Sequence, residues 1–171
     1  MRVVIVPPTP ALLPGYASRL DPVADLRAAV TRALSWVGPC SIVADDPDPV
    51  DAARGVTTSI GHRLALAHGL SITDDPGADR VVFASGSAMR TPKAPGSFDE
   101  RAETFDAEIG RALVEPDPLA LGDIDLELGE HLWARGLAGL VGLAQIPVRT
   151  AYLDYDDAPY GVQYWVARWE V

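Results

Sequence analysis

Three short apolar runs constrain this chain more than anything else in it: "RVVIV" at 2–6, "SIVA" at 41–44 and "RVVFA" at 80–84. Each is continuous rather than alternating. A strand with one wet face alternates, so continuous runs of this length predict strands buried on both faces, as in a parallel sheet. Between the first two, Leu26, Val30 and Leu34 recur at four-residue spacing and predict a helix from about Val23 to Trp36. Asp21 followed by Pro22 suits an N-cap and a first helical position. The segment "TTSIGHRLALAHGL" predicts a shorter helix that ends near Gly69. Strand, helix, strand, helix, strand is the pattern of an α/β domain.

The third run stops abruptly at "SGSAMRTPKAPG" (85–96), a loop of small, polar and Pro/Gly residues. Ser97 to Glu100 then reads as a capping box. Phe98, Ala102, Phe105, Ile109 and Ala112 follow as one apolar helix face. "EPDP" ends that helix, Pro118 suits the start of another, and a further helical region is predicted from about Ile124 to Leu143. The C-terminal stretch from Arg149 changes character. "RTAYLDY" and "VQYWVARWEV" are aromatic and β-branched, and "DDAPYG" joins them, which predicts an antiparallel β-hairpin. The expectation is one α/β domain spanning 1–171, with a mainly parallel central sheet flanked by helices and extended by this C-terminal hairpin.

Charge and composition exclude several function classes. The net charge is −10, which opposes nucleic acid and anionic membrane surfaces as partners. No apolar run approaches the about 20 residues that span a bilayer, and the N-terminus lacks a signal-peptide pattern, so a cytoplasmic protein is expected. A single cysteine, Cys40, excludes an intrachain disulfide and a cysteine-built zinc cluster, and its place at a strand start suits a small core residue. Of the 14 basic residues, Lys93 is the one lysine, a bias that suits a GC-rich genome.

Ligand sites in open α/β sheets lie beyond the carboxyl ends of parallel strands. Here those ends are "PPTPALLP", "DDPDP" and "SGSAMRTPKAPG", which together predict a rim. Thr9, Asp45, Ser87, Arg90, Lys93 and Tyr160 are the rim candidates. Arg90 and Lys93 are expected to receive an anionic group in an otherwise acidic protein. Asp45 with Asp46 offers oxygen ligands to a hard cation. The histidines, His62, His68 and His131, do not form a metal motif. No histidine is recognisably placed to activate Ser85 or Ser87.

Three stretches resemble one known family. "PPTPALLP" is similar to the "PHPPLL" opening of the class III extradiol ring-cleavage dioxygenase-like superfamily. "SGSAMRTPKAPGSFDERAETFD" resembles the "DGSARR…KAPG…DERAxxFD" segment of an actinobacterial branch, and "DDAPYGVQYWVARW" resembles its C-terminal "DDAPYGVxYxVAxW". The resemblance implies a matching α/β fold. It also implies an ancestral site that holds non-haem Fe(II) through two His and one Glu, with a further His as acid/base. This chain has Thr9 at the first ligand position and Asp45 or Asp46 at the second. It has only apolar or Gly residues at 137–141 for the Glu, and Met89 for the base. No metal, cofactor or catalytic residue is therefore expected.

The reading is a non-catalytic member that binds a small anionic or aromatic ligand, or a protein partner, at the rim. The alternative is an enzyme with altered active-site residues: dioxygenase-like, a metal-dependent oxidoreductase or hydrolase acting through Asp45 or Asp46, or one using acid/base groups without a metal. A homodimer packed through the aromatic hairpin (Tyr160, Tyr164, Trp165, Trp169) is the interaction-protein alternative.

Overall fold

The first apolar run forms the middle strand of a five-stranded sheet, and its neighbours on either side run in opposite senses. The computed structural model describes residues 1–16, 21–44, 59–115 and 119–171. The strands are β1 (Arg2–Val6), β2 (Cys40–Val43), β3 (Asp79–Phe83), β4 (Thr150–Asp157) and β5 (Tyr164–Glu170), in the order β2-β3-β1-β5-β4. β1 and β2 each pair with β3 in parallel, while β5 pairs antiparallel with both β1 and β4. The sheet is therefore evenly mixed rather than mainly parallel. The cause is the hairpin, which lies directly against the central strand.

Side chains alternate across a strand, so the apolar runs of β1 and β3 feed two cores, whereas β2, at the sheet edge, is fully buried only at Cys40 and leaves Val43 39% exposed rather than buried on both faces. Val4, Val6, Val81, Phe83 and Val166 face α1 (Ala24–Trp36) and α2 (Ile60–Ala67). Val3, Ile5, Val82, Ala84, Trp165, Ala167 and Trp169 face the opposite helical layer. That layer holds α3 (Ala102–Val114), α4 (Leu119–Gly122), α5 (Leu126–His131) and α6 (Leu137–Val141). In α1 the buried set Leu26, Ala29, Val30, Ala33 and Leu34 recurs at helical spacing. Asp21 accepts from the Val23 N–H at 3.2 Å, and its carboxylate meets Arg27 at 2.9 Å. Arg27 in turn donates to the Leu12 and Ala11 carbonyls, which ties α1 to the loop after β1. Cys40 opens β2 as a buried core residue.

Two local expectations are corrected. The helix after the long loop starts at Ala102, and no capping box forms from Ser97 and Glu100. Asp99 takes the capping role instead, accepting from the Arg101 N–H at 2.9 Å while its carboxylate pairs with the Arg101 guanidinium. Phe98 thus falls before the helix and is 56% exposed. The region 124–143 is two short helices rather than one. Trp133 and Gly136 are left-handed there, and Arg135 forms an isolated antiparallel bridge with Ser85, just past the end of β3. Ser85 and Arg135 exchange both backbone hydrogen bonds, at 2.9 and 3.0 Å. This pairing satisfies buried strand-end groups that a continuous helix would leave open.

Candidate functional site

The chain diverges at the carboxyl ends of β1 and β3. From β1 the chain passes to β2 by way of α1, packed on one face. From β3 it passes to β4 through helices packed on the other. A crevice opens where neighbouring parallel strands send their connections apart. A cavity of about 320 Å³ lies there, lined by Thr9, Ser59, Ser85, Trp133, Arg135 and Tyr164 with prolines and Val162 around them.

Each polar group is positioned by an element end. Thr9 stands two residues before Ala11, whose carbonyl Arg27 anchors. Tyr164 is the first residue of β5, and its hydroxyl donates to Thr9 Oγ1 at 3.3 Å. Burial pushes the Tyr164 phenol above its ordinary range, against a smaller opposing effect of the Thr9 bond. Ser59 caps α2, and Ser85 follows β3. Trp133 follows the last turn of α5 with φ 60 and is 53% exposed. Glycine commonly fills that left-handed place, because a side chain there costs roughly 1–2 kcal/mol. A strained, exposed indole beside a cavity is a feature of ligand sites more than of packing.

The sequence motifs of the long loop meet somewhere else. Asp106, 1% exposed in α3, accepts from the Ser87 N–H at 2.8 Å and the Ser87 hydroxyl at 2.6 Å. Arg90 sits 3.6 Å from the same carboxylate and donates to Gln163 Oε1 at 2.6 Å, with Glu103 at 3.4 Å. Gln163 passes a hydrogen bond on to Asp156 at 2.7 Å. Burial raises the Asp106 carboxyl above its usual value, outweighing the Ser87 and Arg90 contacts that lower it. Gly86 permits this approach: a Cβ would overlap Asp106 Oδ1 and lie 2.7 Å from the Trp165 ring. Backbone bonds from Gly86 to Gln163, from Gln163 to Ser87 and from Arg90 to Gly161 fasten the loop to the hairpin turn. Segments 85–90, 103–106 and 156–163 are thus one lock on the loop.

Of the six sequence candidates, Thr9 lines the cavity. Ser87 and Arg90 belong to the lock. Lys93 is exposed on the loop, and Tyr160 is 64% exposed at the hairpin tip with φ 59. Asp45 and Asp46 lie outside the described residues. Ser59, Trp133, Arg135 and Tyr164 were missed as site residues. Their only sequence signals were a serine ahead of an apolar helix and aromatics beside strand and helix ends. Met89 is buried, and a Cβ at Gly96 would lie 2.6 Å from it. His131 is mostly exposed and reaches Asp99 at 3.4 Å.

Among the described residues no three His, Cys, Asp or Glu side chains converge as a metal-binding group. No helix among them is long and apolar enough to cross a membrane. No known family profile matches the chain, and no curated protein matches it at a significant level.

Proposed function

We propose that the chain binds a small aromatic or anionic molecule in the cavity between β1 and β3, as a relative of the class III extradiol ring-cleavage dioxygenases it resembles that lacks their iron-based ring cleavage. The observation that carries this reading is the lining itself: four hydroxyls (Thr9, Ser59, Ser85, Tyr164), two aromatic rings and one cation at a strand-end crevice. A planar ring stacks on Trp133, and an acid group is received by Arg135 and the hydroxyls.

The iron chemistry of such relatives does not fit the residues here. At the resembling positions Thr9 already accepts a hydrogen bond from Tyr164, Leu137 and Leu140 are buried in an apolar core, and Met89 is packed into the loop. A hydroxyl, aliphatic groups and a thioether, with a single carboxylate from Asp45 or Asp46 at the second position, are not the two-imidazole, one-carboxylate set of a facial Fe(II) site.

Titration with benzoate and ring-substituted benzoates, read by tryptophan fluorescence, tests the proposal. A saturable quench that disappears in Trp133→Phe and weakens about tenfold in Tyr164→Phe, the loss of one well-placed hydrogen bond, is the expected result. No quench across the series, or one unchanged in both variants, overturns it.

A further inference from the structure

Ser59 Oγ lies 2.7 Å from His62 Nδ1. Ser59 is 8% exposed and lines the cavity. Its backbone is extended (φ −60, ψ 153), so it caps α2, and its oxygen accepts from the His62 N–H at 3.2 Å. Capping uses one lone pair and leaves the hydroxyl proton to be placed. That proton points to Nδ1 when the imidazole is neutral with its hydrogen on Nε2. A hydroxyl donating to an imidazole nitrogen at this distance is the arrangement of a nucleophile and its base.

The surroundings suit acyl chemistry. Ile60 and Gly61 line the same cavity, and their N–H groups, in the first turn, have no acceptor inside the helix. Such donors meet a developing oxyanion. Gly61 lets α2 pack closely on β3, because a Cβ there would lie 2.7 Å from the buried Phe83 ring.

We infer that Ser59, with His62 as general base, is a nucleophile toward small carboxylic esters entering the cavity. Ser59 Oγ bonds to the ester carbonyl carbon while its proton passes to His62 Nδ1. The carbon–alkoxy bond then breaks, and the leaving oxygen takes that proton from the imidazolium. Water attacks the acyl-serine, His62 takes its proton and returns it to Ser59 Oγ, and the acid departs. The sum is ester plus water to acid plus alcohol, with no other reactant.

The test uses the intact chain with an alkyl fluorophosphonate, followed by peptide mass spectrometry, and p-nitrophenyl acetate for turnover. Ser59→Asn keeps a side-chain cap on α2 and removes the nucleophile. His62→Gln removes the base. The expected result is one phosphonyl group on Ser59, none at that position in Ser59→Asn, and a labelling rate about 100-fold lower in His62→Gln, the low end for general-base assistance. Melting curves of both variants close to that of the parent exclude unfolding as the cause. Label absent from Ser59, label on a different residue, or an undiminished rate in His62→Gln overturns the inference. Binding of benzoates is read separately, so either reading can fail alone.

Discussion

Replacing Asp106 by Ala asks the most of the structure. The carboxylate is 1% exposed and holds both the N–H and the hydroxyl of Ser87, itself fully buried. Truncation leaves two buried donors without their acceptor, at roughly 1–3 kcal/mol each, and uncovers one side of Arg90. The hydroxyl can rotate toward another acceptor and the N–H cannot, so the net cost is roughly 3–5 kcal/mol. For a domain of this length that lowers Tm by roughly 6–20 °C. Urea unfolding followed by tryptophan emission measures it. Adding Ser87→Ala to Asp106→Ala has to cost little more than Asp106→Ala alone, since the partner is already lost. pH supplies an independent sign. The folded carboxyl titrates above its unfolded value of 3.8, so its contribution to stability is full below pH 3.8 and is lost as pH rises through the folded value. Parent minus Asp106→Asn stability therefore has to fall as pH climbs from 3.8. A cost below about 1 kcal/mol refutes the lock, and a difference that rises with pH refutes the upward shift of the Asp106 carboxyl.

Three further outcomes follow from single sites. Gly136→Ala places a side chain at φ +69, overlapping the Phe83 carbonyl and 2.8 Å from Ala84 Cα, so it is expected to destabilise by more than about 3 kcal/mol in the same urea assay. Elemental mass spectrometry of untagged protein, re-equilibrated anaerobically with Fe(II), Mn(II) and Zn(II), is expected to find no stoichiometric metal. One metal per chain would instead support a metal-dependent activity, with Asp45 and Asp46 the first residues to test. Trp165 and Trp169 are wholly internal, so a dimer through the aromatic hairpin has to use Tyr160, 64% exposed at its tip; a concentration series in the ultracentrifuge tests this, and a strict monomer excludes that dimer.

The central strands were legible because burial on both faces demands continuous apolar residues, as in "RVVIV" and "RVVFA". The hairpin was legible from its aromatics and its turn. Sheet order was not, because whether β5 joins the edge or the middle depends on which apolar face Trp165 and Trp169 complete. The break at 132–136 was hidden for a similar reason. Its apolar spacing fits a helix, and the competing pull of the Ser85–Arg135 pairing is a long-range contact that no local pattern carries. The cavity was legible as a place and poorly legible as residues. The rule of strand ends located it, but Ser59, Trp133 and Tyr164 reach it from element ends far apart in sequence.

The same distinction reverses the expected part of Arg90. Basic residues in a strand-end loop read as anion receptors, yet the Arg90 guanidinium faces Gln163, Glu103 and Asp106 and is absent from the cavity wall. Its charge compensates Asp106, which without it would be buried unpaired. Replacing Arg90 by Met therefore costs stability, roughly 2 kcal/mol for the charged hydrogen bond to Gln163 and its neighbours. Lys93→Met, at an exposed loop position, costs less than about 0.5 kcal/mol. Benzoate affinity, measured at a temperature where both variants are folded, is expected to stay within about twofold of the parent, because neither residue lines the cavity. Affinity lost on replacing both, with the fold intact, would return the anion site to the loop and remove Arg135 and the hydroxyls from that role.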